Sequence, residues 1–429
     1  MSFADSVSSS RTRHDSHVFV VVMLCITFQW LLHIVMSALN VPIEIKPINF
    51  INPYILFALI ICLYALTLRI TNRTVFSLFF LLFVIVGFGL WKYHDFSQFP
   101  GNFIKFVQYF YGVIIVFVGA FLLLRRLNVN VDKLPARIVR ATILAFSIAS
   151  VGELVLANFV FPPGTLFIYP RLNIEDALTV WINLGPIQIR PFGLSLTPQA
   201  NSVTLVSMIV LAYLYHGRKF DRACYIGMLS VFLTFSGTGI LFLLVFLSYV
   251  SRYRWLWFGF LVVLLLSSEF LPGEFFGERL SMTYLIRLYE IFEWSISSNF
   301  ENFSPADWML GSAAPSFNSG TGLTSDWGYV DVVYEFGFVG LLLYLLTYYK
   351  LLKFSMPAAG RMKNDGLVLL ILLFNFHYPA LNYYVAQMTL GILAAMNIHS
   401  RSRRQLMGRQ EVASTVGFGV PGVVSVHQS

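Results

Sequence analysis

About twelve apolar segments, most of them joined by short links, run through this chain. A helix needs about 20 apolar residues to cross ~30 Å of hydrocarbon. Only 12% of the residues are charged and 57% are hydrophobic, whereas soluble proteins carry roughly 25% charged residues. We therefore predict an all-α polytopic integral membrane protein with about 12 transmembrane helices. The candidate segments are 18–39, 54–68, 75–91, 106–124, 141–161, 200–215, 223–235, 239–250, 255–271, 328–349, 366–376 and 380–398.

Positively charged residues cluster after every second apolar segment, and this alternation orients the predicted helices. Lys and Arg are enriched in the cytoplasmic loops of membrane proteins. All clusters and both termini would then be cytoplasmic. The net charge of +8 reflects these clusters, so nucleic acid is not expected as a partner. The clusters are Arg69 and Arg73; Arg125, Arg126, Lys133, Arg137 and Arg140; Arg218, Lys219 and Arg222; Arg252 and Arg254; Lys350, Lys353, Arg361 and Lys363; and Arg401, Arg403 and Arg404.

Two long loops interrupt the otherwise short links, on the side opposite the basic clusters. They cover about 162–199 and 272–327, and we predict that both are periplasmic. The membrane domain would extend over 18–399. It would lie between a cytoplasmic tail of 1–17 and a disordered cytoplasmic tail of 400–429. The first apolar segment, 18–39, is too long for a signal-peptide core and lacks a small-residue cleavage pattern, so we expect no cleavable signal peptide. Because polar residues concentrate in the two loops, we expect the chain to act on something presented at the outer face of the bilayer.

The number of spans depends on two places in the sequence. Residues 223–250 form either one long helix or two short helices hinged at the Ser-Gly-Thr-Gly sequence of 236–239. We favour two helices, because a single span would place Arg252 and Arg254 on the outer side. The same question arises at 366–398, where Asn, His and Pro residues mark a turn.

The stretch from Arg190 to Asn201, at the end of the first long loop, is the first candidate for chemistry. Gly193 and two prolines predict an irregular entry into the membrane, which is tolerated where the backbone lines a wet cavity or is buried in protein. A guanidinium there can contact a phosphate through two charge-assisted hydrogen bonds. The alternative is an interfacial arginine whose head extends to the lipid headgroups.

Arg279 and Arg287, in the second long loop, are a second pair of candidate anion ligands. They are about two helical turns apart and can share one face of an amphipathic segment. Glu290 and Glu293 follow closely. The alternative is therefore that these charges pair with one another on a solvated helix.

Carboxylates inside predicted spans are the candidates for a general base. A charged side chain within the bilayer is costly and functional by default. Asp326 lies where the chain re-enters the bilayer, and Glu335 follows in the tenth segment. Structural pairing with Arg or Tyr is the alternative for both. A structural role is more strongly favoured for Glu153, in the fifth segment, because no motif surrounds it.

Polar residues gather at the predicted outer turn of the last two segments, at His377, Tyr378, Asn382, Tyr383 and Tyr384. They could line a sugar-binding cavity, but a polar interfacial turn is the favoured interpretation. The chain has no phosphate-binding Gly-rich loop and no His, Cys and Asp set with metal-ligand spacing. Its 3 cysteines lie in or beside apolar segments. We expect no cofactor, no metal and no disulfide framework.

At these residues the chain resembles bacterial polysaccharide polymerases of the Wzy type and the related O-antigen ligases. Members of that family carry an Arg-Gly-Pro-Asn-like segment that enters a span. It is matched here by Arg190, Gly193, Pro198 and Asn201. A Ser-Arg-Gly-like break then follows in the family, and 236–239 matches it loosely, without the arginine.

A third matching segment distinguishes between the two activities of that family. In the ligases a re-entry motif reads His-Asn-x-Tyr-Leu, followed by Glu-x-Gly. Here the sequence reads Asp-Trp-Gly-Tyr-Val at 326–330, followed by Glu-Phe-Gly at 335–337. Because Asp326 replaces the ligase histidine, the comparison favours a polymerase. The resemblance covers about 141–349, and the length and loop layout are similar to those of xanthan-type exopolysaccharide polymerases.

The resemblance implies a C-type glycosyltransferase-like bundle in the bacterial inner membrane. The growing glycan on undecaprenyl diphosphate would be transferred to a new lipid-linked repeat unit, without a cofactor. A flippase and a chain-length regulator of the same pathway are the other partners that it implies. The expected catalytic residues are Asp326 and Glu335; the expected diphosphate ligands are Arg190, Arg279 and Arg287; the expected substrate-lining residues are Arg171, Asn201, Trp327, Tyr329 and His377.

Two other functions stay open at this point. A ligase-type glycosyltransferase would attach the glycan to a different acceptor, such as a lipid A core. A polysaccharide or lipid-linked sugar transporter would instead carry its substrate across the bilayer. A transporter is expected to have internally repeated halves and charges spread through many spans. Neither pattern is evident in the sequence.

Overall fold

The computed structural model describes about three-fifths of the chain, and this part is mostly helical. The described residues are 16–32, 53–65, 112–127, 130–160, 181–184, 186–195, 197–267, 300–311, 328–357, 364–377 and 380–415, with single residues and pairs between 286 and 297.

Apart from the short helix Pro305–Leu310 in the second long loop, the described helices follow the predicted apolar segments, and the segment 75–91 lies outside the described residues. In chain order they are α1 (Ser16–Leu32), α2 (Pro53–Ala65), α3 (Gly112–Leu127), α4 (Leu134–Val155, continued by a π-helical turn over Leu156–Val160), α5 (Pro198–Tyr215), α6 (Arg222–Leu233), α7 (Gly237–Val250), α8 (Arg254–Ser267), α9 (Pro305–Leu310), α10 (Gly328–Ser355), α11 (Asp365–His377) and α12 (Tyr384–Thr415).

Two helices within the described ranges are long and apolar enough to cross a membrane, judged by length and composition. They are Leu134–Val160 and Val332–Ser355. The predicted count of about twelve spans and the periplasmic position of the loops stay predictions.

A small β-hairpin in the first long loop corrects the all-α expectation. Trp181–Leu184 (β1) pairs antiparallel with Ile187–Ile189 (β2). Asn158, in the π-helical turn, accepts hydrogen bonds from the backbone N–H groups of Gln188 (2.7 Å) and Ile189 (2.8 Å). Isoleucines lie in both strands, and the sequence between the strands is Gly-Pro, a composition that favours a hairpin over helix.

Polar contacts join four of the basic clusters at one end of the bundle, which we call the basic end. They connect the link before α4, the α5–α6 link, the α10–α11 link and α12. The clusters that the alternation assigned to one side therefore do meet in space. The contacts are Arg140 with Asp221 (2.5 Å), Arg218 with Asn364 (3.2 Å), Lys353 with Asp365 (2.9 Å), Arg401 with the Met356 carbonyl (3.2 Å) and Arg404 with Asp132 (2.9 Å).

The prediction of two short helices over 223–250 is confirmed. Helix α6 begins at the basic end, where Asp221 caps it. Helix α7 returns to that end. Tyr249, near the C-terminus of α7, lies against Gly366, since a Cβ on Gly366 would be 2.3 Å from the Tyr249 hydroxyl. Gly366 directly follows Asp365, which pairs with Lys353 at the basic end. Phe235 adopts the left-handed conformation (φ 50°) between the two helices. Helices α11 and α12 are likewise separate, with a 3-10 turn at Ala380–Asn382 between them.

Helix α5 forms the centre of the described bundle. All of its residues from Ala200 to Leu214 are buried, and it packs against α4, α6 and α7. Helix α12 packs against α3 and α10, and α2 packs against α3. A helix buried on every side carries the site described below on its N-terminal half.

The predicted disordered tail of 400–429 is wrong over its first half. Helix α12 continues to Thr415, and 416–429 lies outside the described residues. Asp132 accepts hydrogen bonds from both the Ser400 hydroxyl and Arg404. These contacts hold the turn of α12 that contains Ser400 and Arg404, where the apolar part of the helix ends. The Arg and Gln residues that follow have good intrinsic helix propensity.

Candidate functional site

Arg190 is buried at the C-terminal end of α6. It is 1% exposed, and its Nε donates a hydrogen bond to the Thr234 carbonyl (3.3 Å). The last carbonyls of a helix have no partners within the helix and carry the negative end of its dipole. The guanidinium therefore occupies a position that favours a cation. Its burial excludes the alternative of an arginine that extends to the lipid headgroups.

The segment after Arg190 is irregular, as its glycine and prolines predict. Gly193 adopts φ +60° and opens a 3-10 turn over Gly193–Ser195. Thr197 then caps α5, where its hydroxyl accepts a hydrogen bond from the Ala200 N–H (3.2 Å). The residues from Arg190 to Ser195 are all buried. The segment is therefore packed inside the protein, which is one of the two settings in which such backbone is tolerated at membrane depth.

Asn201 supports this segment from the first turn of α5. A Cβ on Gly193 would lie 2.2 Å from the Asn201 Oδ1, so only glycine allows so close an approach. The Asn201 amide nitrogen donates to the Ser150 hydroxyl on α4 (2.8 Å). Asn201 therefore links α4, α5 and the segment that carries Arg190.

Glu153 contacts the same segment from α4. It is 2% exposed, and its Oε2 accepts hydrogen bonds from the backbone N–H groups of Phe192 (2.8 Å) and Gly193 (2.7 Å). Its Oε1 accepts a third from the Trp30 indole (2.9 Å). Sequence reasoning missed this contact, because the two backbone partners are 39 and 40 residues away along the chain.

The break between α6 and α7 lies on the other side of the Arg190 segment. Ser236 caps α7, with its side chain accepting from the Gly239 N–H (3.4 Å). A Cβ on Gly239 would lie 2.2 Å from the Ser202 side chain on α5. The segments 190–201 and 236–239 therefore meet on the N-terminal half of α5.

Glu335 lies at a second break, inside α10. It is 4% exposed. Gly337, two residues later, leaves the helical conformation (φ 66°, ψ −173°). Tyr329, one of the predicted substrate-lining residues, donates its hydroxyl to the Leu372 carbonyl of α11 (2.5 Å). The carboxylate candidate is therefore buried beside irregular backbone, while the tyrosine hydroxyl holds two helices together.

The other predicted site residues stay predictions, because their side chains are not described. Helix α11 ends at His377, but the position of its side chain is outside the description. The residues that lie wholly outside the described ranges are Arg171, Arg279, Arg287, Asp326 and Trp327.

The turn between α11 and α12 corrects the expectation of a polar interfacial turn. Its described part, Ala380–Asn382, is buried and packs against α5 and α12. The Tyr344 hydroxyl donates to the Asn382 side chain (2.7 Å), and the Asn375 side chain accepts from the Leu381 N–H (2.7 Å). Buried backbone and amide groups must find partners. Here neighbouring helices supply them instead of water.

An open cavity with mixed apolar and polar lining lies within the second long loop. Its volume is about 510 Å³, and it is lined by Ile296, Ser297, Phe300, Glu301 and Trp308. The Trp308 ring stacks on Phe300 with centroids 4.8 Å apart and on Phe338 with centroids 5.6 Å apart. The indole is thus part of an aromatic cluster that packs α9 against α10.

Among the described residues, no group of three or more His, Cys, Asp or Glu could hold a metal ion. Comparison with known proteins adds no assignment. The chain matches no protein-family model, and neither curated proteins nor solved structures give a match.

Proposed function

We propose that this chain is a membrane-embedded polysaccharide polymerase of the bacterial inner membrane. It transfers the growing glycan from undecaprenyl diphosphate to a new lipid-linked repeat unit at the periplasmic face. The observation that carries the proposal is the buried guanidinium of Arg190. It lies at a helix C-terminus and in an irregular segment held by Glu153 and Asn201. An interior cation on fixed backbone is suited to a phosphate-containing ligand.

The apolar outer faces of several helices support a membrane location. Exposed Leu, Ile, Val and Phe residues recur at helical spacing, and an apolar surface of this extent is a lipid or protein contact. Helix α8 adds Trp255, which is 73% exposed beside Arg254. The recurring residues are Leu144, Ile148, Val151 and Val155 on α4; Phe338, Leu342 and Leu346 on α10; and Leu369 and Leu373 on α11.

In the proposed reaction an acceptor hydroxyl attacks the anomeric carbon of the donor glycan. The bond between that carbon and the diphosphate oxygen breaks, and undecaprenyl diphosphate leaves with the bonding electrons. Negative charge develops on the leaving oxygens, and preorganised cations stabilise it. Arg190 supplies one such cation, and Arg279 or Arg287 supplies another. Because Arg190 is buried, the diphosphate must enter the interior beside α6 to contact it.

The proton of the acceptor hydroxyl passes to a carboxylate, Asp326 or Glu335. Glu335 is buried beside the break in α10, where helical backbone is interrupted. Arg171, Trp327, Tyr329 and His377 line the sugar path in this proposal. Asn201 holds the Arg190 segment and acts through it.

The test is reconstitution of the purified protein in vesicles with a lipid-linked oligosaccharide repeat, followed by size analysis of the glycan. A polymerase gives a ladder of multiples of the repeat on one lipid. A repeat of unchanged size that crosses the bilayer indicates a transporter. Transfer of the glycan to an added lipid A core indicates a ligase. Either of the last two results overturns the proposal.

Arginine variants then test the site itself. Arg190→Ala is expected to lower the rate by about 10²–10³-fold, which corresponds to about 2–4 kcal/mol of barrier. Arg218→Ala is the matched control, because it removes a basic-end arginine whose partner is Asn364. A wild-type rate in correctly inserted Arg190→Ala protein would remove Arg190 from the mechanism.

A further inference from the structure

Glu153 has no role in the transfer described so far, although it is a buried carboxylate in contact with the site. All three of its hydrogen bonds come from N–H donors, those of Trp30, Phe192 and Gly193. A buried charge is costly unless donors of this kind surround it. Two of the three donors belong to the segment that carries Arg190, so the contacts of Glu153 are directed at the site.

The two backbone donors converge on one oxygen of the Glu153 carboxylate. Successive N–H groups that point the same way form a site for an anion. Gly193 has φ +60°, and both N–H groups point to the same Glu153 oxygen. The internal carboxylate therefore holds two consecutive N–H groups of the segment in fixed directions. Removing it would break both hydrogen bonds, and leaving buried polar groups unsatisfied is costly.

This fixation reaches Arg190 through a stiff connection. Pro191 separates Arg190 from Phe192, and its ring restricts the backbone angle φ. Holding the N–H groups of Phe192 and Gly193 therefore also holds the direction in which the Arg190 side chain leaves the backbone. An error of about 1 Å in the placement of a catalytic group can cost about 10²-fold in rate.

We propose that Glu153 is the positioning residue of the site, which aims Arg190 at the diphosphate by holding the Phe192–Gly193 backbone. This inference rests on the proposed function for its catalytic consequence. The two hydrogen bonds by which Glu153 holds the Phe192 and Gly193 N–H groups, which we call the clamp, do not depend on the proposed function, because they can be tested without a substrate. Glu153→Gln keeps the size of the side chain and one acceptor oxygen but removes the charge.

Hydrogen–deuterium exchange of the full-length protein in vesicles tests the clamp. Peptides that cover 190–195 should exchange at least about tenfold faster in Glu153→Gln than in the wild type, because local opening becomes easier. Peptides from α12 should be unchanged. Ser147→Ala is the matched control, since Ser147 is buried on the same helix and its only hydrogen bond to a described residue is to the Ile143 carbonyl of that helix. Unchanged exchange over 190–195 would overturn the clamp.

A double-mutant cycle tests the catalytic consequence. Glu153→Gln should lower kcat/KM for the lipid-linked donor by about 10- to 100-fold. The same change in an Arg190→Ala background should have almost no further effect, because residues that act as a unit are not additive. A purely structural Glu153 would instead reduce both backgrounds by the same factor, and that result would overturn the positioning role.

A milder variant keeps the test usable if Glu153→Gln does not insert. Trp30→Phe removes the indole donor and leaves both backbone contacts of the carboxylate in place. It should raise exchange over 190–195 above the wild-type value, and its rate loss should again disappear in the Arg190→Ala background; exchange at the wild-type value would overturn the clamp. If the wild type itself forms no glycan ladder, the proposed function fails and so does the positioning role; the exchange result then decides the clamp alone.

Discussion

Gly311 and Gly337 lie backbone to backbone where α9 ends against the break in α10. A Cβ on Gly311 would be 2.4 Å from the carbonyl carbon of Glu335, and a Cβ on Gly337 would be 2.3 Å from that of Met309. Both have positive φ, 81° and 66°, with ψ of 161° and −173°. This combination is almost restricted to glycine. The contact therefore fixes the position of the Glu335 backbone.

Gly337→Ala is expected to destabilise the protein by at least about 1–3 kcal/mol, the usual cost of a residue forced into this backbone region. The steric overlap with Met309 adds to that cost. The measurement is thermal unfolding of the purified protein in detergent. Gly259→Ala is the control, because Gly259 lies inside α8 with no atom close to its Cβ position. That change should be neutral or stabilising by about 0.5–1 kcal/mol.

Gly193→Ala should reduce both stability and glycan transfer. A left-handed alanine costs roughly 1–2 kcal/mol, and its Cβ would overlap the Asn201 side chain. Combining it with Asn201→Ala should recover part of the stability, because the overlap is relieved while the backbone cost persists. The unfolding midpoints of the two single variants and the double variant separate these effects. Strictly additive losses would contradict the steric explanation.

Asp221 predicts a pH dependence at the basic end. Burial alone would raise the pKa of Asp221, but hydrogen bonds with Cys224 and Arg140 and the nearby His216 lower it below its ordinary value. A lowered folded-state pKa contributes stability above about pH 4, and this contribution is lost as pH falls through the folded pKa. Asp221→Asn keeps a good helix cap but lacks the charge.

Asp221→Asn should lower the free energy of unfolding by about 0.2–1 kcal/mol near pH 7, the range for a partly exposed ion pair. This difference should shrink as the pH falls below about 4. Unfolding midpoints of wild type and variant at several pH values check this. In an Arg140→Ala background the same substitution should matter less. A difference that instead grows as the pH falls would show that the sign of the pKa shift is wrong.

The extension of α12 depends on Asp132. Asp132→Ala removes the acceptor for Ser400 and Arg404, so the helix beyond His399 should fray. The global loss should stay below about 1 kcal/mol, because exposed pairs contribute little. Hydrogen–deuterium exchange over 400–415 should rise, whereas the buried part of α12 keeps its protection. Equal protection over 400–415 in wild type and variant would assign the extension to helix propensity alone.

Local chain chemistry accounts for much of what could be predicted. The apolar runs predicted most of the described helices, and the Ser-Gly-Thr-Gly sequence at 236–239 predicted the separation of α6 from α7. The alternation of Lys and Arg placed four clusters together, and the contacts of Arg140 and Arg404 agree with it. These signals lie within a few residues of the feature that they predict.

The errors concern interactions between distant parts of the chain. The role of Glu153 depends on donors from α1 and from the end of the first long loop. The turn at Ala380–Asn382 is polar in sequence but buried, because Tyr344 and Asn375 satisfy it. The short hairpin is held by Asn158, a residue that belongs to a helix. No local sequence pattern predicts these hydrogen-bond partners, because only the packing of the helices brings them together.

The two short helices α6 and α7 have one more consequence. At 12 and 14 residues they are about 18 and 21 Å long, which is less than the ~30 Å of a bilayer core. Thr234, at the end of α6 where the two helices meet, is 0% exposed, so its carbonyl lies within the protein. Arg190 donates a hydrogen bond to that carbonyl. The buried carbonyl and the buried guanidinium therefore each provide a hydrogen-bond partner for the other in place of water. In a variant with one continuous helix in place of α6 and α7, the Thr234 carbonyl would no longer be available to Arg190. The bend and this hydrogen bond would be lost together.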